Sequence, residues 1–271
     1  NYSPSKLFSR CQKYSIFVRV ISKYMTKEHQ MWFQSWFNTP YYHILYQNRD
    51  YKEAELFIKN LVRYLNLDAL DDSILDLACG QGRHSIFLNS LGFRVTGIDL
   101  SEKSIKHANE NASESLSFQV HDMRNSYDNE FEIVLNLFTS FGYFDDESDN
   151  INVIKTIKSS LKPNGIGVID FMNSPQVIEN LVADNSYESD GLTFNLKRDY
   201  TDGFINKNIE VVDNNQTFQF REKVRAYTFE DFKSMLSIAG LHLLDCFGSY
   251  KLEPYNKKTS ERLILIFMNN D

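Results

Sequence analysis

The residues most able to do chemistry sit close together between positions 73 and 100, in SILDLACGQGRHSIFLNSLGFRVTGIDL. Asp76 lies just ahead of the glycine turn Gly80-Gln81-Gly82, and Asp99 follows roughly 20 residues after that turn. Glycines let the backbone approach a bound molecule closely, and an acid placed at this distance suits a ribose diol. A dinucleotide site would show G-x-G-x-x-G and seat a pyrophosphate on the helix N-terminus. Here Ser85 holds the third glycine position. The charge of Asp76 would oppose a pyrophosphate and favour a ligand carrying positive charge.

The elements that must hold these residues follow from the apolar pattern. Ile74, Leu75, Leu77 and Ala78 predict a buried parallel strand. Ile86, Phe87 and Leu91 recur at helical spacing until Gly92. Phe93, Val95, Gly97 and Ile98 predict a second strand ending at Asp99. The result is a βαβ unit whose turn lies beyond the carboxyl end of the first strand, where ligands of open α/β sheets bind. A ligand with an ammonium and a sulfonium, such as S-adenosylmethionine, fits the charge at Asp76.

The run Asp76-Leu77-Ala78-Cys79-Gly80-Gln81-Gly82-Arg83-His84 resembles the first motif of class I S-adenosylmethionine-dependent methyltransferases. Asp99-Leu100-Ser101 resembles their second, and the likeness extends from about Trp32 to Phe267. The resemblance implies a Rossmann-like α/β sheet of seven strands, order 3-2-1-4-5-7-6 with the last strand antiparallel. It implies S-adenosylmethionine as cofactor, with Asp76, Ala78, Gly80, Gly82, Asp99 and Leu100 around it. His121-Asp122-Met123-Arg124 closes the next strand, and the resemblance gives Asp122 the adenine amino group with Met123 beside the ring. Asn136 and Phe138 occupy the loop after the fourth strand, which in similar enzymes faces the methyl from the substrate side. The Asn/Asp-Pro-Pro-Tyr/Phe signature of base and glutamine methyltransferases is absent there, which points away from DNA bases and protein glutamine.

Around this core the chain divides into four parts. Residues 1–24 hold Lys6, Arg10, Lys13, Arg19 and Lys23 and no acid. They read either as sequence upstream of a natural start at Met25 or as a mitochondrial-type presequence, and they are set outside the methyltransferase domain, 25–271. Residues 25–66 are expected to be N-terminal lid helices. Trp32, Phe33, Trp36, Phe37, Tyr41, Tyr42 and Tyr46 are dense here. Tyr41, Tyr46 and Arg49 are cofactor candidates, Arg49 through a bidentate grip on a carboxylate. Asp50 with Glu53 reads as a capping box, and Ala54, Phe57, Ile58, Leu61, Val62 and Leu65 mark the helix behind it.

Strands are expected at 116–120, 131–137 and 166–171, the last preceded by a turn at Pro163-Asn164-Gly165. Residues 174–227 break the βα rhythm. Three alternating runs, with Asp202-Gly203 as a hairpin signal, predict an inserted antiparallel sheet that walls a substrate pocket or forms a dimer surface. Thr228 with Asp231 caps a helix ended by Gly240, and strands at 241–247 and 263–267 close the main sheet. The loop between them brings Tyr250 and Arg262 toward the site.

Composition bounds the rest. The net charge of -7 argues against a general nucleic-acid binder. No run of 18 apolar residues is present, so no membrane span is expected. Three widely spaced cysteines, Cys11, Cys79 and Cys246, suggest neither a disulfide framework nor zinc and suit a reducing, cytoplasmic setting. Asp170 and Asn173 do not by themselves make a metal site, and no metal is expected. General-base candidates are His43 and Tyr143, with His84 placed beside the cofactor loop instead. The expected activity is methyl transfer to an N or O nucleophile of a small molecule by a monomer or homodimer. Methyl transfer to RNA or protein, non-catalytic binding of S-adenosylmethionine, and a nicotinamide oxidoreductase are the competing readings.

Overall fold

The computed structural model describes residues 32–47 and 51–271. Residues 1–24, Arg49 and Asp50 lie outside the described residues, as do the expectations that fall on them. The elements are helices α1 (Trp32–Phe37), α2 (Pro40–Leu45) and α3 (Tyr51–Leu65), then β1 (Ser73–Leu77), α4 (Arg83–Ser90), β2 (Arg94–Asp99), α5 (Glu102–Ala108), β3 (Leu116–Val120) and β4 (Phe131–Asn136). There follow α6 (Glu147–Ser159), β5 (Leu161–Met172), α7 (Ser174–Glu179), β6 (Asp184–Ser189), β7 (Leu192–Thr201), β8 (Phe204–Asp213), β9 (Gln216–Arg225), α8 (Phe229–Ala239), β10 (Leu241–Phe247) and β11 (Arg262–Asn269).

The main sheet has seven strands in the order β10-β11-β5-β4-β1-β2-β3, with β11 antiparallel to both of its neighbours. That is the expected topology, with β10 and β11 as the sixth and seventh strands. β1 is parallel to β2 on one side and to β4 on the other. The chain order reverses at β1, so a crevice opens at the carboxyl ends of these strands. Ile74, Leu75 and Leu77 on β1 are fully buried, because helices cover both faces of a parallel sheet. α3 buries Phe57, Ile58 and Leu61 on one stripe, each side chain stabilising the fold by about 1.5–3 kcal/mol. No helix among the described residues is long and apolar enough to cross a membrane.

The insert is a four-stranded antiparallel sheet, β6-β7-β8-β9. Three strands are predicted from alternation. The fourth, β6, reads DNSYES and carries no apolar alternation, because its residues are exposed or half-buried. Asp202 and Gly203 both take positive φ, 53° and 81°, as a tight hairpin between β7 and β8 requires. The expected turn at Pro163-Asn164-Gly165 is instead a kink within β5, where the pairing with β4 shifts register between Phe131 and Ile133. Helix α1 joins the two sheets. Its Phe33 packs in the main core, and its Trp36 packs with Leu45, Phe194, Leu196, Ile209 and Val211 in the core of the insert.

Candidate active site

The turn from β1 to α4 is built on left-handed residues. Ala78, Gly80 and Gly82 have φ of 63°, 59° and 81°. For Ala78 this conformation costs on the order of 1 kcal/mol or more, strain that clusters at functional sites. Gly80 faces open space, whereas a Cβ on Gly82 would lie 2.6 Å from the Phe118 ring. Gly82 therefore permits the close packing of α4 on the sheet, and Gly80 leaves room for a ligand.

Two acids frame the turn, Asp76 buried and Asp99 half-buried. Asp76 accepts a 2.6 Å hydrogen bond from the Ser85 hydroxyl. Burial pushes its carboxyl up to about 6, with the Ser85 bond opposing and the Asp99 charge adding to the rise. Asp99 accepts from the Gly80 N–H at 2.9 Å and the Ser101 N–H at 2.7 Å, one on each oxygen. A carboxylate has about four acceptor positions, so each oxygen of Asp99 keeps capacity for a hydroxyl. The Ser85 side chain, which stands where a dinucleotide site has its third glycine, is thus the partner of Asp76.

Asp76, Ala78, Gly80 and Asp99, but not Gly82, line a cleft of ≈ 390 Å³. Of the residues expected around a cofactor, Tyr46, Asp76, Ala78, Gly80, Asp99 and Phe138 line it, together with the base candidates His43 and Tyr143. Gln81, Arg83 and Tyr42, which the sequence reading does not single out, line it as well. The Arg83 guanidinium lies 4.3 Å from the centre of the Phe138 ring.

The remaining candidates are placed elsewhere. Tyr41 donates to Asp213 on β8 at 2.9 Å and packs its ring against Phe218 and Phe220. Asp122 is held by Arg124 at 2.6 Å, and Arg124 also reaches Asp149 at 2.9 Å. Leu100 and Met123 are half-buried against the main core. Asn136 is fully buried and donates to the carbonyls of Leu77 and Ser140. It therefore ties β4 to β1 and closes the following turn.

Both base candidates are already engaged in hydrogen bonds. Burial, with His107 adding to it, lowers the His43 pKa, and its Nε2 lies 3.0 Å from the Gln81 amide nitrogen. The amide donates to the bare ring nitrogen, which ties α2 to the glycine turn. The Tyr143 hydroxyl donates to the Thr139 carbonyl at 2.7 Å, and burial pushes its pKa well above the ordinary tyrosine value. His84 is buried, and that burial lowers its pKa to about 3.

A second cavity, of ≈ 990 Å³, adjoins the first. Its walls come from α3, the insert and the loop 248–261, and they include Glu53, Lys207, Glu222, Glu253, Glu261 and Arg262. Phe37, Tyr42, Tyr46, Phe138 and Tyr143 line both cavities. The passage between them is thus a collar of aromatic side chains. Tyr46 and Trp36 both donate to Glu222 of β9, at 2.7 and 2.8 Å, and Lys207 of β8 pairs with the same carboxylate at 3.2 Å. Asp170, the acid at the end of β5, is occupied by Arg262 at 2.7 Å. Among the described residues no group of three His, Cys, Asp or Glu side chains could hold a metal ion.

Residues 74–165, which carry the glycine turn, both acids and the collar residues Phe138 and Tyr143, match a family described as a methyltransferase domain. The chain is 40% identical over 110 residues to YqeM of Bacillus subtilis (strain 168), an alignment spanning 39% of this chain and 44% of that one. It is 26% identical over 208 residues to the cypemycin N-terminal methyltransferase of a Streptomyces species, spanning 72% and 82%. The chain thus spans less than half the length of the first of these relatives. Its fold matches the crystal structure of an S-adenosylmethionine-dependent methyltransferase from Clostridium acetobutylicum ATCC 824 with a TM-score of 0.73, at 24% identity over 85% of this chain and 96% of that one.

Proposed function

We propose that this chain, whose residues 74–165 match a methyltransferase domain and whose fold matches an S-adenosylmethionine-dependent methyltransferase, is a class I S-adenosylmethionine-dependent methyltransferase that transfers a methyl group to the amine nitrogen of a polar small molecule. When bound, S-adenosylmethionine would supply an electrophilic methyl carried on a sulfonium. The donor set of the small cleft fits it. Asp76 provides negative charge for the amino acid end, Asp99 provides acceptor positions for the ribose, and Gly80 leaves the approach open.

The observation that carries the reading is the collar. Five aromatic side chains separate a cofactor-sized cleft from a larger chamber with both acids and bases on its walls. Aromatic faces attract cationic groups such as an ammonium, and the chamber's Glu53, Glu253 and Glu261, alternating with Arg198, Lys251 and Arg262, suit a polar substrate. The protein's task is alignment. The collar would hold the acceptor nitrogen in line with the methyl and exclude water from the path. The attacking amine must be neutral, so its proton leaves before transfer. Because Tyr143 stays protonated and His43 is tied to Gln81, no side chain of the collar is assigned that proton.

Support for nitrogen over oxygen comes from the cypemycin relative, which is named for an N-terminal methylation. The acidic balance of the chain speaks against RNA as the acceptor. The test begins with calorimetric titration of S-adenosylhomocysteine into the parent and Asp99→Ala. The parent should bind and the variant bind at least tenfold more weakly, a loss of about 1.4 kcal/mol. Turnover of labelled S-adenosylmethionine is then measured against glycine, an amino sugar, a short peptide and a catechol. Turnover confined to the amines supports the proposal. Turnover of the catechol alone, or binding of NAD in place of S-adenosylhomocysteine, overturns it.

A further inference from the structure

Phe138 and Thr139 are consecutive non-glycine residues in the left-handed region, with φ of 63° and 59°. Such a pair persists only where its surroundings over-determine it. Here the surroundings are Asp170, fully buried at the end of β5. Its Oδ2 accepts from the Phe138 N–H at 2.8 Å, and its carbonyl accepts from the Thr139 N–H at 2.8 Å. Asp170 is held in turn by two side chains from the far end of the sequence. Arg262 Nε donates to Oδ1 at 2.7 Å, and the Tyr250 hydroxyl donates to Oδ2 at 3.0 Å. The same guanidinium reaches the turn directly, with Nη2 donating to the Thr139 hydroxyl at 3.0 Å.

The turn fixed in this way carries Phe138, which lines both cavities, and its Thr139 carbonyl anchors the hydroxyl of Tyr143, which also lines both. Arg262 and Tyr250 line only the larger chamber. They therefore touch the acceptor's side of the collar while holding the backbone that shapes the cofactor's side.

We propose that Arg262, assisted by Tyr250, is a positioning residue for methyl transfer: acting through Asp170 and Thr139, it fixes the left-handed turn that sets Phe138 and Tyr143 around the reacting methyl. The proposal rests on the methyltransferase reading given above. S-adenosylmethionine and S-adenosylhomocysteine share their adenosine and amino acid parts and differ only in the methyl and the sulfonium charge, which the collar surrounds. The ratio of their affinities therefore reports on the collar, whereas general loosening of the fold weakens both alike.

The experiment is calorimetric titration of the full chain with each of the two ligands, for the parent, Arg262→Gln, Arg262→Lys and Tyr250→Phe. Arg262→Gln should lose at least tenfold in affinity for S-adenosylmethionine and no more than about threefold for S-adenosylhomocysteine. Arg262→Lys, which keeps the charge and one donor to Asp170, should recover part of the difference. Tyr250→Phe removes a single hydroxyl and leaves the ion pair intact. It should shift the ratio by about threefold, and it carries the test if Arg262→Gln does not fold. A ratio unchanged in Tyr250→Phe and in every folded Arg262 variant, or an equal loss for both ligands, overturns the proposal. A parent that binds neither ligand overturns the underlying reading as well.

Discussion

Asp76 is held where its charge is disfavoured. It is 1% exposed, and burial raises its carboxyl from the ordinary 3.8 to about 6 against the pull of the Ser85 hydroxyl. A carboxyl whose folded pKa is raised destabilises the fold when ionised. That penalty is complete above about pH 6 and vanishes below about pH 4. Asp76→Asn removes the charge and keeps an oxygen for Ser85. It should therefore raise stability by about 1–3 kcal/mol at pH 7.5, with the gain shrinking to nothing at pH 4, as thermal unfolding at the two pH values would reveal. The same variant should lose at least tenfold in affinity for S-adenosylhomocysteine, because the ammonium loses its counter-charge. In the parent, a bound cation favours the ionised acid, so affinity should be greatest above pH 6 and fall as pH drops below it. Affinity that is flat between pH 5 and pH 8 would remove Asp76 from the ammonium site. At this scale the sequence was legible where partners are near in the chain. Asp76 and Asp99 emerge from motif spacing alone, and the Asp122-Met123-Arg124 order already offers Asp122 a basic partner two residues away. Tyr41 and Tyr46 were not separable by sequence, because what distinguishes them is Asp213 for one and Glu222 for the other.

Among the elements, α1 and α2 line both cavities, through Phe37 and Tyr42, and have little regular structure of their own. Each has six residues, too few to be stable alone. They are held by the insert through Trp36, which is fully buried and donates to Glu222 at 2.8 Å, and by Tyr46 on the same carboxylate. Trp36→Ala would empty the joint between the helices and the four-stranded sheet, at a cost of about 3–5 kcal/mol borne mainly by that region. The expected outcome is faster hydrogen exchange across residues 32–47 and the insert, with β1 and β4 little changed, and weaker binding of S-adenosylhomocysteine. Equal acceleration in both sheets would mean that they unfold as one unit. The elements also show what alternation can and cannot reveal. β7 and β8 are read from their apolar periodicity and the Asp202-Gly203 turn. β6 lacks the periodicity, and its signal is Asp190-Gly191, both at positive φ, in the tight turn that joins it to β7. The kink in β5 passes for a turn in sequence because Pro163-Asn164-Gly165 has turn composition, and only the pairing on both sides keeps it in the sheet.

The described residues form two packed bodies with the two cavities between them. The seven-stranded sheet supplies Asp76, the glycine turn, Asp99 and the Phe138 turn, while the insert with α1 and α2 supplies Tyr42, His43, Tyr46, Lys207 and Glu222. The order of the sheet was legible because each parallel strand is a buried apolar run followed by a helix. The closing of one body on the other was not, because it depends on contacts such as the Arg225 guanidinium with the Asp145 carbonyl, 80 residues apart. This division predicts how a ligand should act on the protein. S-adenosylhomocysteine at 100 times its dissociation constant should stabilise the fold by about 2.7 kcal/mol. Because the cleft is lined from both bodies, protection from hydrogen exchange should appear at residues 78–83 and, together with it, at Tyr42–Gln47 of the N-terminal helices. Protection confined to residues 78–83 would mean that α2 does not close over the ligand. The contact between His43 of α2 and Gln81 of the glycine turn would then not persist in solution, and the collar would need an acceptor in the larger chamber before it forms.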